Sequence, residues 1–336
     1  MERRLFIRNT GQVSLAIALL GATACVDSKS KKDKKTTDNE LAENPFNPFF
    51  KLSLAQWSFH SAIMEGKMDP RDFAQKSEEL GFEGLEYVSQ LYKGILEKED
   101  DAEEGLKKLV ATLKANAEKY HQTNLDIMID AEGDLASNKE EERAEAINNH
   151  KKWVDAAAEL GCHSIRVNLF GSTNPDDWKT ASIAGLKGLC AYAKTKNINI
   201  LVENHGYLSS NSELLAEVMK SVKQVYENVG TMPDFGNFCL KRQGNELWGT
   251  PCVEEYDKYK GIKEMMPYAK AVSAKSYDFD DKGDETTIDF YKMMKIVKDS
   301  GYTGFVGVEY EGEHLSEREG IIATKKLLIK VAKEIG

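Results

Sequence analysis

Glu86, Glu203, Asp234 and Glu309 are acidic residues that each end an apolar run of this 336-residue chain. In ILVENHG the carboxylate of Glu203 and the imidazole of His205 sit two residues apart, on one side of an extended segment. The same spacing puts Ser273 with Lys275 in VSAKS, and Arg166 with Asn168 in IRVNL. Buried strands do not end in carboxylates without a reason. Brought together in a low dielectric, four acids repel strongly, and a divalent cation is the simplest compensation.

Something must gather these distant segments. From residue 52 onward, short β-type runs alternate with amphipathic helical runs. The strands read at 52–58, 83–88, 124–130, 163–169, 198–204, 229–234, 270–276 and 304–310, with helices near 69–80, 103–120, 139–160, 179–195, 212–227, 253–267, 286–299 and 316–334. Three joints share a form, ELGFEGLEY, ELGCHSIRV and DSGYTGFVGVEY, in which Gly81, Gly161 and Gly301 mark helix ends that turn left-handed. Eight strand–helix units imply an α/β fold with a parallel sheet closed into a (β/α)8 TIM barrel. No GxGxxG follows any strand, against an open doubly wound sheet. In a barrel, the C-terminal strand ends form the active face. Gln56, Trp57, His60, Glu86, Asp130, Glu132, Arg166, Asn168, Glu203, His205, Asp234, Asn237, Ser273, Lys275, Glu309 and Glu311 would all lie there.

LVENHG, MPDFGNF, AVSAKSYDF and GFVGVEYEG, in this order, resemble the sugar phosphate isomerase/epimerase superfamily with a xylose-isomerase-like TIM barrel, over roughly residues 50–336. The chain looks most similar to exported Bacteroidetes-type members. The resemblance implies one divalent metal ion, Mn, Co or Mg, held by a Glu, an Asp, a His and a second Glu. Glu203, Asp234 and Glu309 match three of these, and Ser273 stands where the histidine is expected. His205, Asn237 or water would fill the fourth place, and such a set suits Mn or Mg better than a thiol-loving ion. The resemblance further implies that Glu203 and Glu309 are an acid/base pair moving a proton beside a carbonyl through an enediolate. Lys275 would stabilise the oxyanion. A Schiff base is the lesser reading, because nearby acids keep the ammonium charged.

Around this set, Trp57 would stack on a sugar ring or pack in the core. His60 is open between ligand, substrate contact and solvated loop. An inward Arg166 needs an anionic partner, either substrate or Glu203 or Glu86. His163 and Trp153 read as structural, and His121 and His150 as exposed helix residues. The segment CLKRQGNELWGTPC, 239–252, follows the strand of Asp234 and carries Trp248. It would be a lid on the substrate or a surface excursion, and Cys239 and Cys252 could close it. Cys162 and Cys190 read as free buried thiols.

The N-terminus reads as an export signal over residues 1–25: a charged start with Arg3 and Arg4, a short apolar stretch, and small residues before Cys25. ATAC resembles a lipobox, with an ordinary cleaved signal or uncleaved anchor as alternatives. A charged tether, 26–49, would then precede the barrel, 50–336. The expected location is the periplasm or a membrane-anchored lipoprotein, with lipid as the sole membrane contact. The paired arginines resemble a twin-arginine signal, which would be the route. A net charge of −10 argues against a nucleic-acid partner, and six histidines are too few and too misplaced for a multi-metal nuclease. The leading expectation is a metal-dependent isomerase or epimerase of a small-molecule carbohydrate, free, oxidised or glycosidic. Two alternatives are a 3-keto-glucoside lyase, in which elimination follows the same proton abstraction, and a non-catalytic carbohydrate-binding lipoprotein.

Overall fold

The computed structural model describes residues 47–336. The signal read at 1–25, with Cys25, and all of the tether except its last three residues lie outside the described residues. Six strands lead the domain: β1 (Lys51–Ala55), β2 (Gly84–Val88), β3 (Thr123–Met128), β4 (Ser164–Val167), β5 (Asn199–Glu203) and β6 (Val229–Met232). A hairpin of β7 (Cys239–Arg242) and β8 (Cys252–Glu255) follows, then β9 (Val272–Ser276) and β10 (Phe305–Tyr310).

All the strands except the hairpin pair in parallel, in the order β6-β5-β4-β3-β2-β1-β10-β9. The two outer strands meet through bridges at Thr231–Ala269 and Asp234–Ser273. Backbone bonds run across this seam from Phe235 N to Ser273 O, 3.1 Å, and from Ser273 N to Pro233 O, 2.9 Å. The sheet is thus rolled into the expected (β/α)8 barrel, and its closing seam carries two of the site residues. Closure satisfies edges that would otherwise stay unpaired.

Local chemistry explains the helix boundaries. Asp101, Asn174 and Asp257 cap helices Ala102–Lys119, Pro175–Thr195 and Lys258–Met265 by accepting from backbone N–H groups of the first turn. Ser316 and Glu319 form a reciprocal capping box at the head of Glu317–Ile335. Gly81, Gly161 and Gly301 take φ of 70°, 85° and 79°, the left-handed turn read from the shared joint.

Three expectations are corrected. The first strand stops at Ala55, and Gln56–Phe59 form a 3-10 turn. Gln56 turns into the core, donating to Tyr92 Oη at 2.8 Å and accepting from Val88 N at 3.1 Å. The helix expected from 253 begins at Lys258, because residues 252–255 pair antiparallel with β7 across the Cys239–Cys252 disulfide. His150 is buried rather than exposed, its Nδ1 2.7 Å from Ala146 O on the preceding turn. Cys162 and Cys190 are free and buried, as expected. Among the described residues no helix is long and apolar enough to cross a membrane.

Glu86 does not join the other acids. It lies mid-strand inside the barrel, with Ser53 Oγ donating to Oε1 at 2.6 Å and Oε2 unpartnered. Burial, with repulsion from Asp126 and Glu309, pushes its carboxyl up to about 8. A carboxyl whose pKa rises on folding stabilises the protein below its unfolded value, and that contribution is lost as pH rises through the folded value. Glu86→Gln should therefore gain on the parent as pH climbs from 4.5 to 8, by at most about 1.4 kcal/mol for each pH unit crossed, and level off above 8. Urea midpoints across that window check it, and a gap that shrinks with rising pH contradicts it.

Candidate active site

The barrel mouth brings together Glu203 at the end of β5, Asp234 just past β6 and Glu309 in β10. Their carboxylate oxygens lie within 4.8 Å of one another, and all three residues are buried. Three chain segments far apart in sequence thus supply one cluster, as their strand-end positions require.

Each acid is held from a different direction. Glu203 has Arg166 Nε 2.8 Å from Oε2 and Asn237 Nδ2 donating to Oε1 at 3.1 Å. The Nε–H does not point along the contact, which is ionic rather than an aligned hydrogen bond. Asp234 Oδ1 accepts from the backbone of Gly236, 2.9 Å, and Asn237, 2.8 Å. Ser273 stands on the β9 side of the seam, its hydroxyl 2.7 Å from Asp234 Oδ2 and 3.1 Å from Glu309 Oε2. Its single proton serves one of them at a time. Lys275 Nζ is 3.2 Å from Glu309 and 3.2 Å from Glu311.

Charge is the dominant energetic feature. Burial pushes Glu203 up to about 8 and Asp234 up to about 6, with repulsion from Glu309 adding to both. For Lys275, burial opposes the charge, but Glu309, Glu311 and Asp234 outweigh it and hold the ammonium well above its ordinary range. A permanently protonated lysine is an electrostatic group, not an imine-forming nucleophile. Arg166 also reaches Asp130, at 3.2 Å, so two protein carboxylates pair with it. Its partner is thus Glu203, one of the two acids named from sequence. With every group ionised, the five acids Glu203, Asp234, Glu309, Asp130 and Glu311 exceed Arg166 and Lys275 by three negative charges.

That surplus, and the raised carboxyls of the cluster, fit a divalent cation. Glu203, Asp234 and Glu309 would hold it, with the Ser273 hydroxyl in the place a histidine was expected. An all-oxygen set of this kind favours Mn or Mg. His205 stands outside the group: its Nδ1 lies 2.8 Å from Asn168 Oδ1. The amide oxygen accepts, so Nδ1 carries the proton and Nε2 is an acceptor. Burial, then Arg166 and Lys275, depress the imidazole to about 3, so it stays neutral. Asn237 turns its amide oxygen toward Lys275, 3.5 Å away, and its nitrogen to Glu203.

A cavity of about 630 Å³ opens beside the cluster, between two aromatic walls; Glu309 lines it, while Glu203 and Asp234 lie buried behind the lining. On one side Trp57 stacks on His60, with ring centroids 4.7 Å apart and planes 13° apart. His60 is tied back to Trp57 O, 2.8 Å from its Nδ1. On the other side Trp248 packs on His205 at 4.7 Å and edge-on to Phe170 at 6.5 Å. Trp248 belongs to the β7–β8 hairpin, so the segment 239–252 does reach over the mouth. Asn168 links Arg166, Asp130 and His205 and lines the same cavity.

Asp130 and Glu311 are strand-end residues to which the sequence assigned no role. Alternation two residues beyond Glu309 was the available signal for Glu311. Phe170 and Arg242 also line the cavity, and no strand-end pattern marks them.

Known proteins with this architecture can now be set beside the chain. The family described as "Xylose isomerase-like TIM barrel" matches residues 74–330. No curated protein sequence matches. Similar solved structures include the IolI protein with a bound zinc atom, 16% identical, covering 85% of this chain and 99% of that one, TM-score 0.59. Another is 3-keto-D-glucoside 4-epimerase, YcjR, from E. coli, 14% identical, covering 84% and 99%, TM-score 0.58. A third is D-psicose 3-epimerase from Clostridium cellulolyticum H10, solved with D-tagatose, 15% identical, covering 85% and 99%, TM-score 0.60. These likenesses show the shared fold. With its barrel closed and its acids gathered at the C-terminal mouth, this chain belongs to the xylose isomerase-like TIM barrel family.

Proposed function

We propose that the protein is a sugar isomerase or epimerase that moves a proton at a carbon beside a carbonyl, using Glu203 and Glu309 at a divalent-metal site. The observation that carries this reading is the convergence of Glu203, Asp234 and Glu309 beside a sugar-sized cavity walled by aromatic rings, with Glu309 on its lining. Among proteins of this fold, the E. coli and Clostridium structures above are named as epimerases of sugars.

The chain's own residues divide the work. Glu309, salt-bridged to Lys275, is placed to take the proton as a base. Glu203, held between Arg166 and the Asn237 amide on the other side of the cluster, is placed to return one. The Lys275 ammonium faces the negative charge that develops on the sugar oxygen. Arg166 fixes Glu203, and neutral His205 presents Nε2 to a hydroxyl. Trp57 and Trp248 cover the apolar faces of the ring and exclude water. A divalent ion on Glu203, Asp234 and Glu309 would draw electron density from the carbonyl and its neighbouring hydroxyl.

The test is proton NMR in D2O with ketohexoses and 3-keto-glucosides. A new epimer or isomer deuterated at the reacting carbon is expected, and the absence of both exchange and product across such a panel contradicts the proposal. The cavity extends to Trp248 and Arg242 of the hairpin, which leaves room for a leaving group and favours loss of an aglycone as a second outcome. Released aglycone in the same tubes distinguishes it. The export signal read at residues 1–25 is part of the same proposal, and signal processing followed by mass spectrometry checks it.

Metal content gives a separate prediction. The purified protein should carry about one equivalent of Mn or Mg per chain, and Asp234→Asn should lose most of it while keeping the fold. Binding must displace the proton that burial holds on Glu203, so uptake should tighten as pH rises toward 8. Elemental analysis and titration calorimetry at two pH values read both. Affinity that is flat or falls over that range contradicts the assignment of Glu203 as a ligand.

A further inference from the structure

We propose that Arg242 binds a carboxylate of the substrate, and hence that the sugar handled at this site is an acidic one, a uronic acid or its glycoside. The inference rests on the reading of the cavity as a sugar site.

Three strong cations line that cavity: Arg166, Lys275 and Arg242. Arg166 already pairs with the carboxylates of Glu203 and Asp130, and Lys275 with those of Glu309 and Glu311. Arg242 differs. Its Nη1 donates to Thr250 O at 2.7 Å and its guanidinium lies 5.7 Å from the Trp248 ring centroid. No carboxylate partner exists for it among the described residues. A guanidinium has five N–H donors in a rigid fork, so most of this one's capacity is free.

The arm that carries it is built to stay in place. Arg242 ends β7, opposite Cys252 in the hairpin ladder, and the Cys239–Cys252 disulfide links the start of β7 to the start of β8. Thr250 Oγ1 donates back to Gln243 O at 3.0 Å, and Trp248 rests on His205. An arginine held by its own hairpin, lining a cavity and with donors to spare, is pre-organised for an anion.

The anion is a carboxylate rather than a phosphate. Bidentate pairing of one guanidinium with one carboxylate is complete in itself. The rest of the wall carries Asp130, Glu309 and Glu311, and repels a dianion more strongly than a monoanion. A sugar acid would place its reacting carbons beside Glu309, its ring against Trp248 and its carboxylate on Arg242.

Titration calorimetry on the full chain with Mn tests this. The probes are D-glucuronate, D-galacturonate and D-mannuronate, each against the neutral hexose of the same configuration, with D-glucose 6-phosphate as the phosphate arm, at fixed ionic strength. At least one acid should bind about tenfold or more tightly than its neutral partner, the strength of a charge-assisted hydrogen-bond pair. Arg242→Met should bring that ratio close to one, and Arg242→Lys should keep part of it. Neutral and acidic sugars binding equally would overturn the proposal while leaving the sugar reading intact. An Arg242→Met variant that weakens both members of a pair by the same factor would show that Arg242 merely props Trp248, and overturn it too. So would glucose 6-phosphate binding better than glucuronate. No binding of any sugar would remove the sugar reading along with it.

Discussion

Glu309→Gln should leave a folded protein whose turnover falls by about three orders of magnitude, and Glu203→Gln should do the same. A positioned acid or base contributes about 10²–10⁴-fold, and here each carboxylate is also a cation ligand, so the loss belongs at the upper end. The amide keeps the size of the side chain. In Glu309→Gln the amide oxygen can still accept from Ser273, and Lys275 keeps Glu311 as a partner. Melting temperature should therefore move little, and removing mutual repulsion among the three acids works in favour of the variants. Steady-state rates beside thermal melts separate the two effects. Near-parental turnover in either variant removes that residue from the proton pair.

Lys275→Met should lower turnover by about 10²–10³-fold, the range seen when one donor to a developing oxyanion is removed. It should also destabilise the protein by several kcal/mol, because a buried pair broken on one side leaves the other charge uncompensated. The ammonium is nearly inaccessible to solvent and carries Glu309 and Glu311 together. Without it the Glu311 carboxyl, which Lys275 helps to hold below its ordinary range, should titrate higher. Treating the parent with borohydride and substrate should give no reduced adduct, since Lys275 stays protonated. An adduct at Lys275, or a variant of unchanged rate and stability, contradicts the electrostatic role.

The barrel and its acid cluster were legible in the sequence because each strand is short, apolar and ended by a polar residue, and because helix ends carry glycine at a fixed place. Glu203, Asp234 and Glu309 needed only the rule that one rim of the barrel gathers its strand ends. Glu86 escaped that rule. Its side chain points into the barrel from mid-strand toward Ser53, and a run of apolar letters does not say at which depth a carboxylate ends up. Trp57 was misplaced on a strand because Gln56 bends the chain to satisfy its amide in the core. The hairpin was hidden for a different reason. Residues 253–255 have exposed side chains that carry no strand alternation, and their pairing depends on a disulfide partner 13 residues away. Arg242 reaches the cavity from the hairpin and Phe170 from a loop, and the course of both is set by tertiary contacts rather than local pattern.

The most direct measurement of the central claim is the fate of the substrate proton in single-turnover experiments in D2O with the parent, Glu203→Gln and Glu309→Gln. Two carboxylates sharing one reaction predict that the parent yields product carrying solvent deuterium at the reacting carbon. They also predict that neither variant forms product, while one of them still exchanges deuterium into recovered substrate, because its remaining carboxylate can remove a proton that the missing one cannot replace. Product formed at the parental rate by both variants, or product from the parent that retains no solvent deuterium and shows no exchange, would contradict the claim that Glu203 and Glu309 carry the proton.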